Sequence, residues 1–513
     1  MVSFRRPRRS PRALPVGTPT VPGSWVPSNE HLDKYVEALR AESAHRPQPL
    51  SPEIAAFKHL VENTPALAAQ MTMAFTQARV LKKRTTPLGT AAVRNFDEFC
   101  ALLNVIMTTA PVFATESKWN LEPAGLVGFP INALLNWPMA TDAGTSVFAN
   151  SLVNAAFKRI LEAWSKWLLT EESRYVLTSV RDGPVSSDLA PHAIAWLSDP
   201  AKGQMVEVAF NWMGDSRPSP LPAFEDLFDC KAKDEYLGFR SWDDFFTRSF
   251  NEKWRPLDGP TGHQPFGVPG RYSRDESVVV QACESAPLVI STGVEANASF
   301  WLKGQPYSLN DMLYYDDLAP HFYGGTVYQA FLSALSYHKW NSPVTGTIKK
   351  VFQVAGTYYL QNQAAGFERA FTKQQASFMS EDGILGDPVA PNDSQKFLTA
   401  VATRAGVFIE ADDKNIGLMC FMAVGMAEVS SCVFDAKIKE GCRIKAGESL
   451  GAFHFGGSTH VLIFRPEFTT DDKGAKKKTG PKLEWADFRS CYNTGIGIDA
   501  TNIPVKAQIA KAS

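Results

Sequence analysis

Clustered cysteine is missing from this sequence. Its seven cysteines, Cys100, Cys230, Cys283, Cys420, Cys432, Cys442 and Cys491, lie far apart, with no CxxC and no Cys/His cluster. An odd, scattered set argues against a disulfide framework and a structural zinc site, and suits a reducing compartment. Long hydrophobic runs are missing as well. The longest, Gly417–Ala427, is too short to span a membrane, so no stable membrane insertion is expected. Neither sign of charge dominates: 52 Lys and Arg stand against 53 Asp and Glu. A general polyanion-binding surface, and with it a nucleic-acid partner, is not implied. The N-terminus lacks the apolar core of a signal peptide, and there is no internal repeat. These absences leave a cytoplasmic globular protein as the expectation.

What is present is enough chain for more than one domain: 513 residues, 44% of them hydrophobic. Met1–Val26 is basic, free of acids and proline-rich. Prolines oppose the amphipathic helix of a transit peptide, so residues 1–48 are read as a disordered tail. Residues 49–213 read as a helical domain. Ser51 caps and Pro52 opens one helix to Glu62, and Thr64-Pro65 starts a second. Asn95-Phe96-Asp97-Glu98 opens another, through Met107. Thr145–Thr170 carries the strongest helical stripe, through Phe148, Leu152, Phe157, Ile160, Leu161 and Trp164.

Gly214–Pro222 is a polar, proline-rich link, and residues 223–513 are strand-like. Short runs such as Gly346–Val354, Val407–Glu410 and Val429–Val433 alternate with glycine and proline punctuation. Ile438–Gly451 reads as a hairpin, and Thr469–Lys482 as a charged, solvated loop. The fold class is therefore α+β, a helical domain followed by a β-rich one.

Within the β-rich part, Gly451–Phe464 reads strand, tight turn, strand, with Ser458 after Gly456-Gly457. A hydroxyl beside a strained carbonyl attacks it once a base takes the proton. On these residues alone, a hairpin with a polar tip is the other reading.

Five separated stretches, in order, resemble the phosphatidylserine decarboxylase family of pyruvoyl-dependent enzymes. They are Ser241-Trp-Asp-Asp-Phe-Phe-Thr-Arg248 with Arg255-Pro256; Ala282-Cys283-Glu284-Ser285; Trp301-Leu-Lys-Gly304 with Tyr307-Ser-Leu309; Tyr337-His338-Lys339-Trp340-Asn341-Ser342-Pro343; and Gly456-Gly457-Ser458-Thr459. Each is weak alone, and their order is what makes the signal. Phe157–Trp164, Ser173–Leu177, Phe408–Leu418 and Phe453–Ser458 are similar to a fungal L-tryptophan decarboxylase branch of the family.

The resemblance implies self-cleavage between Gly457 and Ser458, with Ser458 becoming a pyruvoyl group that serves as the electron sink for decarboxylation. The two resulting chains would stay associated, and a homo-oligomer is compatible. His338 and Glu284 match the family's catalytic positions, Glu284 standing where relatives carry a relay aspartate. Asn341 departs from the pattern, because many relatives have a histidine there that activates the serine. Asn cannot act as a base at neutral pH. Either His338 takes both roles, or His454 or His460 substitutes, or processing fails. His454 and Asn341 are also candidate substrate contacts.

The implied function is a decarboxylase of a free amino acid, L-tryptophan or another aromatic one, in fungal secondary metabolism. The alternatives are a phosphatidylserine decarboxylase making phosphatidylethanolamine, and an unprocessed, inactive binding homologue.

Overall fold

The computed structural model describes residues 29–85, 93–115, 130–139, 141–180, 193–257, 276–297, 307–332, 335–360, 379–380, 383–384, 394–429, 431–470, 474–497 and 500–513. The Trp301–Gly304 part of the third motif and the first 28 residues of the expected tail lie outside them.

The caps expected in the first half hold helices in place. Helix α1, Asn29–His45, comes first. It corrects the boundary of the expected tail: Val36 and Leu39 are buried on one face, so this segment packs against the domain. Ser51 caps α2, Pro52–Glu62, accepting from the Ile54 N–H at 3.4 Å, and α3 runs Pro65–Thr85. Asn95 caps α4, Phe96–Ile106, through the Glu98 N–H at 2.9 Å. Helix α5, Pro130–Met139, precedes a break that the sequence stripe conceals. Thr145–Thr170 is two helices, α6 Asp142–Ala149 and α7 Ser151–Leu168. Asn150 separates them, its carboxamide oxygen capping α7 through the Leu152 N–H at 2.9 Å. A capping side chain competes with helix continuation, which is why the stripe alone reads as one helix. Val153, Phe157, Ile160, Leu161, Trp164 and Leu168 of α7 are buried in the helical core.

The helical core does not end at the domain boundary. Phe246 from the short helix α8, Trp242–Phe246, joins the same cluster, with Leu335, Tyr337 and Phe455 from the β-rich part. The helical core therefore extends into the β-rich part, which holds two further clusters of its own.

The strands used below are β1 Val278–Val280, β2 Ala286–Val294, β3 Gly325–Leu332, β4 Lys339–Asn341, β5 Gly346–Val354 and β6 Arg404–Ala411. They continue with β7 Leu418–Gly425, β8 Ser431–Phe434, β9 Arg443–Ile444, β10 Ser449–His454, β11 Ser458–Phe464, β12 Leu483–Trp485 and β13 Gln508–Ala512. A seven-stranded antiparallel sheet has the order β9-β5-β6-β7-β11-β3-β2. Two three-stranded sheets, β8-β10-β4 and β12-β13-β1, accompany it. β7 and β11 are buried at every position, as strands covered on both faces must be.

Two expected hairpins are not hairpins. β9 pairs with β5 while β10 pairs with β8 and β4, so Ile438–Gly451 feeds two different sheets. Likewise β10 and β11 do not pair with each other: Gly456-Gly457 carries the chain from a three-stranded sheet into the large one. Within the expected loop Thr469–Lys482, Lys476–Lys478 forms a short exposed strand paired to Phe468–Thr470. The Val429–Val433 run begins its strand later, at Ser431.

Candidate active site

Ser458 is the first residue of β11, paired with Gly425 of β7 and Leu332 of β3. It is fully buried, not at an exposed tip. Its Oγ has no hydrogen-bond partner among the described residues. Alternation along the strand turns Ser458 and His460 to one face and Thr459 to the other. Thr459 donates to the Ala330 carbonyl at 2.9 Å and accepts from Gln329 at 3.1 Å.

The turn before Ser458 is held from outside. Gly456 has φ +139°, and a Cβ there would lie 2.3 Å from the Val429 nitrogen and 2.4 Å from the Glu428 carbonyl carbon. Only glycine tolerates both the conformation and the approach. The Gly457 N–H donates to the Ala427 carbonyl at 2.9 Å, and the Gly457 carbonyl accepts from the Met426 N–H at 2.8 Å. The carbonyl preceding Ser458 therefore faces a fixed backbone donor.

His460 lies one pleat beyond Ser458. It is fully buried, its ring near those of Phe421 and Tyr328, with centroids 6.0 Å away in each case. Neither ring nitrogen has a hydrogen-bond partner among the described residues. Burial pushes its pKa down to about 3, so the imidazole is neutral and unprotonated at physiological pH, though a weaker base than an exposed histidine. His338 is buried as deeply, stacked on Phe246 at 3.9 Å between centroids. Burial, with the Arg248 guanidinium second and the Ser336 backbone opposing weakly, pushes its pKa down to about 3. Neither nitrogen makes a well-formed hydrogen bond among the described residues. Arg248 is held elsewhere, donating to the Leu335 carbonyl at 2.8 Å and lying 4.5 Å over the Phe228 ring.

The other candidates from the sequence are occupied. Glu284 does not meet Ser458 or His338. Both its oxygens take the Arg255 guanidinium, at 2.5 and 2.9 Å, and one also accepts from the Val505 N–H at 2.8 Å. A carboxylate matched to a buried guanidinium in this way is an ion-pair partner. The Asn341 carboxamide donates to the Gly447 carbonyl at 2.8 Å and accepts from Tyr337 at 3.5 Å, fixing a loop. His454 turns away from Phe453 and Phe455 to Asp243 of α8, with Nδ1 at 3.0 Å from both carboxylate oxygens. Burial lowers its pKa and Asp243 raises it, the net result being a rise.

Three participants are not singled out by motif reasoning. Asp243 and Arg255 sit inside recognised stretches, without a signal for their partners. Glu428 has a signal that is easy to pass over: it is the first charge after the apolar run from Leu418. It is buried beside the Gly456 turn.

Two family patterns described as phosphatidylserine decarboxylase match this chain, one over residues 51–205 and the other over 242–483. Decarboxylase iboD of Amanita muscaria is 40% identical over 342 residues, covering 66% of this chain and 85% of that protein. The chain belongs to the phosphatidylserine decarboxylase family. The L-tryptophan decarboxylase of Psilocybe cubensis is 32% identical over 382 residues, 73% of this chain and 74% of that protein. The phosphatidylserine decarboxylase proenzyme 3 of Schizosaccharomyces pombe is 25% identical over 265 residues, 52% of this chain and 23% of that one. As a member of this family the chain is a carboxy-lyase, and its likeness lies toward the tryptophan decarboxylase branch. Among the described residues, no helix is long and apolar enough to cross a membrane.

Proposed function

We propose that this carboxy-lyase cuts itself between Gly457 and Ser458, carries a pyruvoyl group derived from Ser458, and decarboxylates a free aromatic amino acid, L-tryptophan first. The observation that carries the reading is the pairing of an unpartnered Ser458 Oγ with a Gly457 carbonyl already hydrogen-bonded to Met426. The substrate class is supported by relatives named L-tryptophan decarboxylase in Psilocybe cubensis and Psilocybe cyanescens.

Self-cleavage balances with residues of this chain. A base takes the Ser458 Oγ proton and Oγ bonds to the Gly457 carbonyl carbon. The Met426 N–H faces the oxygen that becomes negative. The Gly457–Ser458 amide then breaks, its nitrogen is protonated, and an ester remains. Loss of the Ser458 α-proton breaks the Cβ–Oγ bond, leaving a Gly457 carboxylate and a dehydroalanine. Water converts the latter to the keto group with release of ammonia.

We assign the base to His460, which shares the face of Ser458 and is kept neutral by burial. It replaces the histidine that Asn341 lacks. His338 is assigned to position the proton return at the substrate α-carbon: its neutral N–H donates a hydrogen bond that orients the reacting group, and water supplies the proton.

The buried, largely apolar surroundings of Ser458 fit a pyruvoyl group, which would leave Ser458 as the first residue of the small chain. When present, that group supplies the electron sink for the charge left by CO2 loss. β11 lies between β7 and β3, and β13 pairs with β1, so the small chain 458–513 would stay bound to the large one.

The test is the intact mass of wild type and Ser458→Ala, followed by amine formation across aromatic and aliphatic amino acids and phosphatidylserine vesicles. Two chains in the wild type, one in the variant and turnover of an aromatic amino acid are expected. An uncleaved wild type sinks the pyruvoyl reading, and turnover of phosphatidylserine alone replaces the substrate.

A further inference from the structure

The residues that hold the cleavage turn belong to one short segment, Met426–Val429. Met426 donates to the Gly457 carbonyl, Ala427 accepts from the Gly457 N–H, and Gly456 lies against the Glu428–Val429 peptide. Glu428 bends this segment through φ +65°, a left-handed conformation that a non-glycine residue holds only when its surroundings impose it. What surrounds it is the helical domain. The fully buried Glu428 carboxylate accepts from the Asn132 N–H at the start of α5, and the Ile131 N–H also lies against it. These are first-turn donors that no helical carbonyl satisfies. Tyr35 of α1, and Tyr359 from the β-rich part, lie near enough for their phenols to feel the carboxyl group. The second carboxyl oxygen, Oε2, has no hydrogen-bond partner among the described residues.

We propose that Glu428 is a positioning residue for self-cleavage. It ties the segment that presents the Met426 N–H to helix α5, so that the oxyanion donor is in place only when the helical domain is docked. This rests on the self-cleavage reading above. It assigns the helical domain a task in maturation, in addition to any part in substrate binding. Burial favours the neutral acid at Glu428, and a neutral carboxamide offers Asn132 the same acceptor.

The experiment is cell-free synthesis of the full chain, with conversion of the 513-residue precursor followed over time for wild type, Glu428→Gln, Glu428→Asp and Glu428→Ala. Precursor folding is checked by resistance to trypsin, and each reaction is run with and without hydroxylamine, which cleaves the ester. Glu428→Gln is expected to mature at close to the wild-type rate. Glu428→Asp, one methylene short, and Glu428→Ala are expected to fold and mature about 100-fold more slowly, the scale of a misplaced reacting group. Hydroxylamine should not rescue them, because the block precedes the ester. Wild-type rates in the folded Asp variant overturn the proposal, as does a slow, folded Gln variant or rescue by hydroxylamine. A precursor that never cleaves in the wild type overturns the self-cleavage reading itself, and this inference with it.

Discussion

The Met426 N–H donates to the Gly457 carbonyl oxygen at 2.8 Å, across the end of β7 from the start of β11. In a ground-state amide this bond fixes the carbonyl in direction. In the tetrahedral adduct with Ser458 Oγ it would also carry developing negative charge, where such a donor counts most. Replacing residue 426 by its α-hydroxy analogue exchanges the N–H for an ester oxygen and leaves the side chain in place. Precursor conversion is expected to slow by about 100-fold or more, with the fold retained. An unchanged rate would remove Met426 from the chemistry.

Gly456→Ala is expected to stop maturation more completely. The added methyl would stand 2.3 Å from the Val429 nitrogen, at a φ of +139° that an L side chain rarely adopts. Backbone has to move, and what moves is the turn that aims the Gly457 carbonyl. The prediction is a precursor that accumulates uncleaved and melts below Ser458→Ala, the control that lacks cleavage for a chemical reason alone. Equal melting temperatures and normal cleavage would show that the turn has slack.

Much of this site is legible in the sequence, and the unreadable part has a common cause. Ser458, His338 and Gly456-Gly457 sit in short contiguous motifs, and the strand Gly346–Val354 is marked by its own composition and punctuation. The partner of each element is not marked. Nothing local distinguishes a glycine pair that closes a hairpin from one that carries a strand into another sheet, because pairing is decided by residues far away in the chain, as between Ser458 and Leu332. The same holds for Glu284, whose motif position suggests a relay, and whose carboxylate pairs with Arg255 from another motif. Glu428 reads as the end of an apolar strand until helix α5 is in view.

His460 gives a pH signature. An exposed histidine loses its basic form as pH falls through about 6.5. His460, pushed down to about 3 by burial alone, stays neutral throughout the usual range. Precursor conversion is therefore expected to be flat between pH 8 and pH 5.5, and His460→Gln to slow it by about 100-fold or more. A rate that falls with an apparent pKa above about 6.5 points to His454 instead, whose pKa Asp243 holds up.

Arg255 and Glu284 are expected to act on stability. Their guanidinium and carboxylate are both almost wholly buried, and Arg255 also donates to the Ala209 carbonyl at 2.7 Å. Arg255→Met strands a buried carboxylate and is expected to cost about 3–5 kcal/mol in denaturant unfolding. Adding Glu284→Met removes the stranded charge, so the double variant should lose less than the sum of the singles. Glu284→Gln should lower the melting temperature while the folded fraction matures at the normal rate. A folded Glu284→Gln precursor that fails to cleave would return Glu284 to the relay.

His454 and Asp243 join β10 to helix α8, and their contact has a pH sign opposite to that of the two buried histidines. Asp243 holds the His454 pKa above its ordinary value, against the pull of burial, so the folded state binds this proton more tightly than the unfolded one. The stabilisation is full below about pH 6.5 and is lost as pH rises through the folded value. His338 and His460, both pushed down to about 3, contribute nothing adverse above about pH 6.5. Below it, the unfolded chain gains protons that the folded chain refuses, and stability falls toward pH 3. The two effects separate in a single comparison, the difference in unfolding free energy between wild type and His454→Asn. That difference is expected to be about 1–2 kcal/mol at pH 6, the scale of a hydrogen bond to a charged group, and to shrink by pH 8.5. The absolute stability of both proteins should fall together in acid. A difference that grows with pH would mean that His454 is bound as a neutral imidazole, and that Asp243 holds it through hydrogen bonding alone.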